Sequence, residues 1–471
     1  MNRPTAADLA LIVPELILAG MALLLLLVAR RIQGGPLALC GTVLAALAAA
    51  LAAVWVVPPA GASGFGGMVT VDGYSRFFEV LIAASLALAA LLSARTLEGE
   101  PIPRAEYHVL LLLASSGMML AVSSLDLLTL YLGVELMTLC SIVLVGIRVD
   151  DPASNEAAIK YFLIASFASA FLLFGISLTY GVTGSTEFSA IASALRDRGS
   201  DPLLLAAMGL VAAGLAFKIA AVPFHAWAPD AYQGATAPVA AFLAAGSKAA
   251  GLAAVGRVAL VAFGSEQRTL SVILAGLAAL SIVVGSIIAL SQTDMKRLLA
   301  YSSIAHAGYA LLGLIAGGPA GASATMTYAF FYVFMTLGAF GVVIALGKRG
   351  ETLDGYQGLA AQRPGTAALM LIFLLALTGI PPTAGFAAKF VVIQSAVRAD
   401  HVPLAVLAVV CSVVTAFVYM RIAVQMYMKE PVAPAPPRLP VTVSAALAVA
   451  ALVTLVGGIS PGSLAPWTVP P

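Results

Sequence analysis

Apolar residues fill this chain in blocks of about twenty, and polar residues collect in the short joins between them. At roughly 20 apolar residues per bilayer crossing, the pattern predicts fourteen helices. They run near 8–29, 36–57, 77–94, 107–124, 125–147, 156–181, 203–222 continuing to 234, 238–263, 269–290, 297–317, 322–347, 367–398 with a break, 402–427 and 440–458. Joins as short as Ser123-Ser124-Leu125-Asp126 require antiparallel neighbours. The first run, 10–29, is long enough to span, and no small-residue cleavage motif follows it, so it reads as a span rather than a cleavable signal.

Two helices are interrupted, at Pro223 and at Pro381-Pro382. Proline removes a backbone donor, and such a break at membrane depth is tolerated only against protein or a water-filled cavity. The breaks fall at corresponding places. The stretches 156–181 and 326–346 share an aromatic pair, small residues and an apolar tail, and a broken helix follows each. Two interrupted helices in matching positions predict an internal repeat, helices 4–8 and 9–13, and five spans per unit make the second unit inverted. The fold class expected is therefore an all-α polytopic membrane protein: three N-terminal helices in 1–100, a first repeat in 101–265, an inverted second repeat in 266–430, and a C-terminal helix and tail in 431–471.

Composition agrees. Hydrophobic residues make up 61% of the 471 positions and charged residues 10%, against about 25% charged in soluble domains. A net charge of +2 with no basic run gives no reason to expect nucleic acid. Alternate joins differ in cations. One set holds Arg30, Arg31, Arg95, Arg104, Arg148, Lys296, Arg297, Lys348, Arg349, Arg363, Lys429 and Arg438; the other holds Arg3, Arg76, Arg196, Arg198, Arg268 and Arg398. The richer set is expected on the cytoplasmic side, with both termini opposite. Cys40, Cys140 and Cys411 lie in apolar runs, as inert buried thiols do. There is no CxxC, no Cys/His metal spacing, no Walker loop and no GxGxxG after a strand, so no redox centre, metal or nucleotide site is expected in the chain itself.

Against this apolar background a few ionisable groups stand out. The chain has seven lysines, and Lys218, Lys248 and Lys389 lie deep in spans, where each costs roughly 2.5–3.5 kcal/mol even on insertion scales. Lys248, ten residues into its helix, sits about 15 Å down, the midplane of a roughly 30 Å core. Glu135, ten residues past Leu125, and His306, eleven past Met295, reach the same depth. Snorkelling works near helix ends and these positions are central. A static pair would hold one lysine against Glu135, yet three deep lysines face one equally deep glutamate. A desolvated amine without a counter-charge relieves its cost by releasing its proton, which makes it able to load and unload one. His225, just after the first break, and Lys160, near a cytoplasmic helix end, are further candidates for proton relay. Asp230 and the Trp227-Ala228-Pro229 turn shape the break; Glu15 and Glu79 read as structural or interfacial, Arg257 as a helix anchor, and His108 receives no role.

The run KIAAVPFHAWAPDAYQGATAPVAAFLAAGSKAAG, with TDMKRLLAYSSIAHAGY and GIPPTAGFAAKF, resembles the antiporter-like membrane subunits of respiratory complex I and their relatives in multisubunit cation/proton antiporters. The similarity covers about 107–428. Within that family the opening LIVPELIL, the YQG after PFHAWAPDA, a lysine in the twelfth helix and no lateral helix after Trp467 are similar to the N type. The resemblance implies that Glu135 modulates Lys218, that Lys248 is the central relay and that Lys389 is the exit-side carrier. It implies quinone reduction in other subunits weakening a Glu135–Lys218 ion pair and driving its proton onward. FMN, iron–sulfur clusters and quinone would belong to partner subunits, which would include the adjacent antiporter-like subunit M and the small subunits J and K, in a bacterial inner membrane. The alternative is a subunit of an Mrp-type Na+/H+ antiporter. Sodium would favour oxygen ligands from carboxylates, and this interior is dominated by lysine.

Overall fold

The computed structural model describes residues 5–28, 35–55, 61–196, 201–432 and 434–469. Its helices run, in chain order, α1 (Ala6–Leu11), α2 (Val13–Val28), α3 (Gly35–Trp55), α4 (Gly73–Gly99), α5 (Arg104–Ser123), α6 (Leu127–Val145), α7 (Pro152–Thr183), α8 (Phe188–Arg196), α9 (Pro202–Lys218), α10 (Trp227–Gly234), α11 (Ala237–Phe242), α12 (Lys248–Arg257), α13 (Gln267–Ala289), α14 (Met295–Ala316), α15 (Gly318–Leu346), α16 (Leu359–Gln362), α17 (Pro364–Thr378), α18 (Ala384–Arg398), α19 (Val402–Met428) and α20 (Val441–Ile459). A wide helical turn, Leu243–Ser247, joins α11 to α12, and the rod continues as Ala237–Ala262.

Helix starts follow from sequence. Aspartates at 126, 151, 201 and 294 cap α6, α7, α9 and α14 by accepting backbone N–H bonds, and proline occupies the first position of α7 and α9. Among the described residues, eleven helices are long and apolar enough to cross a membrane. Three shorter apolar ones, Val13–Val28, Pro202–Lys218 and Pro364–Thr378, stand where the first, seventh and twelfth spans were expected. The first is shorter than the predicted 8–29 because the chain leaves helical geometry at Ile12, ahead of Pro14. Several short elements were not predicted, among them a hairpin and a helix. A three-residue hairpin, β1 (Ala62–Gly64) against β2 (Val69–Val71), pairs Ala62 with Val71 and is too short to show a period. The amphipathic α8 buries Phe188, Ile191 and Leu195. Arg3, Arg30, Arg31 and Arg198 lie outside the described residues.

The centre of the bundle is the rod Ala237–Ala262 with α14 and α15, whose spanning windows are 100%, 100% and 94% buried; α7 and α19 are only a third buried and face outward. The same devices recur in 104–262 and 267–428. In the first, Gly133 lets α6 close on α5: a Cβ there would lie 2.7 Å from the Ala121 nitrogen. In the second, Gly308 does so for α14 on α13, at 2.8 Å from the Ala278 carbonyl. Asp126 and Asp294, the two caps, each form a β-bridge to the segment beyond the next long helix, at Glu187 and Thr352. A broken helix then follows in each unit, α9/α10 and α17/α18. Across the first break the Trp227 indole donates to the Phe217 carbonyl at 2.9 Å while its ring stacks on Tyr161, and Ser281 accepts from the Val222 amide. Backbone groups freed by the break thus find partners inside protein.

Candidate functional site

Lys218 is the last residue of α9, where the helix stops. Its side chain is 1% exposed, and Nζ donates to Thr138 Oγ1 at 3.0 Å. That hydroxyl already donates to the Val134 carbonyl, so its oxygen is free to accept. Thr138 lies three residues after Glu135, on the same face of α6. Glu135 is partly buried, but no ion pair joins it to Lys218 among the described residues, contrary to the pairing the resemblance implied. Threonine, one turn along the helix, takes the place the carboxylate was expected to hold.

The stem of Lys218 packs against α12 at Gly251; a Cβ there would sit 3.3 Å from Lys218 Cγ and 2.9 Å from Ile219. Lys248 is three residues back on that helix, at the end of the wide turn. It is 1% exposed, and Nζ donates to both Ser303 O and Ser303 Oγ at 2.6 Å. Ser303 belongs to α14, and one turn further along that helix is His306. His306 Nδ1 lies 2.7 Å from the Tyr328 hydroxyl, with the rings of Tyr332 and Tyr309 at 5.2 and 6.0 Å. A further turn along α14, the Tyr309 hydroxyl bonds Ser412 Oγ at 2.9 Å. Lys389 closes the row: Nζ donates to the Thr378 carbonyl at 2.9 Å, reaches Ser412 Oγ at 3.4 Å and lies 4.5 Å over the Tyr309 ring. Thr378 is the last residue of α17, so the second break supplies this carbonyl.

The helix α14 therefore carries Ser303, His306 and Tyr309 at successive turns, a ladder from Lys248 to Lys389. Among the described residues none of the three deep lysines has a carboxylate within ion-pair distance; every partner is neutral. Such a row can pass protons between amine, hydroxyl and imidazole, with a water inserted where groups are not in direct contact. Sequence reading named the amines, Glu135 and His306. It missed Thr138, Ser303, Tyr309, Tyr328 and Ser412, whose only signal is their spacing of three from, or their packing against, the ionisable positions.

Two expected members lie apart. Lys160 sits at the rim, half-exposed, pairing with Glu156 at 2.7 Å and Asp230 at 3.2 Å; Asp230 also holds Arg297 at 2.7 Å. Asp230 thus ties α7, α10 and α14 together. His225 lies half-buried in the first break, with no described contact to the row. Arg257 anchors as expected, gripping Asp72 and the Val122 carbonyl and covering the Tyr74 ring. Glu15 and Glu79 are buried rather than interfacial, and Glu79 is 0% exposed.

Comparison with known proteins places this geometry. Residues 124–415 match the family model described as NADH:quinone oxidoreductase/Mrp antiporter, TM. The chain is 43% identical to the NADH-quinone oxidoreductase subunit N of Desulfovibrio desulfuricans, covering 98% of this chain and 97% of that one. It is 46% identical to the subunit N of Rhizorhabdus wittichii over 90% and 89%. Among solved structures it is similar to a chain of respiratory complex I from Thermus thermophilus with bound aureothin, at TM-score 0.83 and 34% identity, over 96% and 98% of the two chains. A chain of the Mrp complex from Dietzia shares the fold, at TM-score 0.86 and 24% identity over 97% and 96%.

Proposed function

The chain belongs to the NADH:quinone oxidoreductase/Mrp antiporter membrane family, and on that premise we propose that it is a proton-translocating subunit, of the N type, in the membrane arm of a respiratory NADH:quinone oxidoreductase. It is a multi-pass membrane protein. The observation that carries the reading is the row from Lys218 through Lys248 and α14 to Lys389, buried amines held only by neutral groups. A permanently charged amine in that setting would want a carboxylate; one that alternates between NH2 and NH3+ is served by hydroxyls and carbonyls that accept hydrogen bonds from either form.

In this reading Lys218 is the loading site, and Glu135, one turn along α6 from the threonine that holds it, modulates it. Movement of Glu135 away from Lys218, or its neutralisation, releases the proton towards Lys248; His306 and Tyr309 convey it along α14, and Lys389 delivers it. Glu135, Lys218, Lys248, His306 and Lys389 carry the path, and Lys160 and His225 stand at its entrances. The two five-helix units act as the inverted repeats of a transporter. Electron transfer, with FMN, iron–sulfur clusters and quinone, is assigned to partner subunits; M, J and K are the proposed membrane neighbours. The membrane is the bacterial inner membrane, with both termini periplasmic.

The test has two arms. Affinity purification of the chain is expected to bring down flavin- and iron–sulfur-containing subunits, and recovery with small antiporter subunits alone would reject the complex I assignment. In the purified complex, Lys218→Ala is expected to lower both quinone reduction and proton pumping several-fold; undiminished pumping per electron would take Lys218 out of the path.

A further inference from the structure

Among the described residues, Lys389 is the one deep lysine that lies over an aromatic face. Its Nζ stands 4.5 Å from the centroid of the Tyr309 ring. That ring is fixed in place. The tyrosine is 0% exposed, and its hydroxyl is tied to α19, donating to the Ala408 carbonyl at 3.0 Å and bonding Ser412 Oγ at 2.9 Å. The amine is held as well. Helix α17 ends at Thr378, and Gly379 turns the chain away in the left-handed region at φ 89°. The Thr378 carbonyl, at a helix end whose last carbonyls lack helical partners, accepts from Nζ at 2.9 Å. The lysine stem passes over Gly379, where a Cβ would come within 2.9 Å of Lys389 Cδ.

These contacts differ in what they discriminate. A hydroxyl or carbonyl oxygen accepts a hydrogen bond from NH3+ and from NH2 alike. A ring face attracts the cation through its quadrupole and gives the neutral amine little. The partial negative charge at a helix C-terminus acts in the same sense. Lys389 meets both features. Lys248, the neighbouring amine on the row, lies within the continuous rod Ala237–Ala262 and bonds Ser303 alone, with no ring beneath it among the described residues. No carboxylate does the same work at Lys389, since α14, α15, α17, α19 and α20, the helices packed against α18 or beside it, contain no aspartate or glutamate. The ionisable groups they bring to the interior are His306 and Tyr309 on α14, Tyr328 and Tyr332 on α15, and Cys411 and Tyr419 on α19; α17 and α20 bring none. On α18 itself the other charge is Arg398, more than two turns along.

We propose that the Tyr309 ring, backed by the carbonyl end of α17, makes Lys389 the amine on which the row rests its proton, and that it does so through its face and not its hydroxyl. The proposal rests on reading the row as a proton path, and it adds a direction to that path. A proton passing from Lys248 along α14 ends where the ammonium form is best held, and release from Lys389 is the step that needs driving.

The test reads Lys389 itself, in the purified complex at rest. Cyanate carbamylates an amine only as NH2, and its neutral acid is small enough to enter an apolar interior. Carbamylation of the peptide carrying Lys389 is followed by mass spectrometry across a pH series, with a free amine in the same solution correcting for reagent. Tyr309→Leu is expected to lower the pH at which Lys389 becomes reactive by about one unit, a shift of about tenfold toward NH2. Tyr309→Phe keeps the face, loses the hydroxyl and is expected to leave that pH in place. Should the leucine complex not assemble, Tyr309→Met removes the ring with a more adaptable side chain. A leucine or methionine variant that reacts as wild type does, or a phenylalanine variant shifted as far as they are, would overturn the proposal. Proton pumping by Lys389→Met is measured separately. Undiminished pumping would take Lys389 out of the path and end its role as the resting place, whatever the labelling shows of the ring.

Discussion

Each deep amine in this protein is held by oxygen atoms that bear no charge. Lys248 makes both its described hydrogen bonds to Ser303, Lys218 its one to Thr138, and Lys389 turns to a carbonyl and a serine. Removing one such acceptor is expected to unbalance the amine without removing it. Thr138→Val keeps the shape and deletes the oxygen that Lys218 uses; the expected result is a several-fold fall in pumping, with a stability loss on the order of 1–3 kcal/mol for the unsatisfied group, read by thermal unfolding of the purified complex. The lysines were legible in the sequence because a cation in an apolar run is costly and conspicuous. Ser303, Thr138 and Ser412 were not, because serine and threonine are common in membrane helices and cost little there. The Glu135–Lys218 pair came from resemblance, and the structure offers a threonine instead.

At the scale of elements, the breaks and the close helix contacts position these side chains. The first break was legible from Pro223 alone; what stabilises it was not, since the bond from Trp227 to Phe217 joins residues ten apart across non-helical backbone. Trp227→Phe keeps a stacked ring and loses the donor, and is expected to cost about 1 kcal/mol, seen as a lowered melting temperature. Gly308→Val would drive a side chain into the α13 backbone; overpacking of this kind costs about 1–3 kcal/mol, and here it should also shift His306, two residues away, and reduce pumping beyond what lost stability explains. A third contact depends on pH. Burial works against the Asp72 carboxylate, but hydrogen bonds and charge from Arg257, with help from Ser75, outweigh it and hold the carboxyl below the ordinary aspartate value. A lowered folded-state value means stability fully present above the unfolded aspartate range of about 4 and lost as pH falls through the folded value. The melting-temperature gap between wild type and Asp72→Asn is expected to stay constant from neutral pH down to about 5 and to close below about 4.

Across the whole molecule, the long runs gave away the membrane architecture and the paired breaks suggested the repeat, because both are periodic along the chain. The role of α14 was hidden. Its run, MKRLLAYSSIAHAGYALLGLIA, reads as one more span, yet its central burial makes it the connection between the units: its serine faces a lysine of the first and its tyrosine faces a lysine of the second. On the proposed path Lys248 loses and regains a proton, which separates it from an amine that merely supplies charge. Arginine distinguishes the two, since it keeps a positive charge and does not release its proton. The most direct measurement is protons translocated per electron by the complex in sealed proteoliposomes, compared for wild type, Lys248→Met and Lys248→Arg. The account predicts that arginine fails as fully as methionine, and a Lys248→Arg complex that pumps at the wild-type ratio would contradict it.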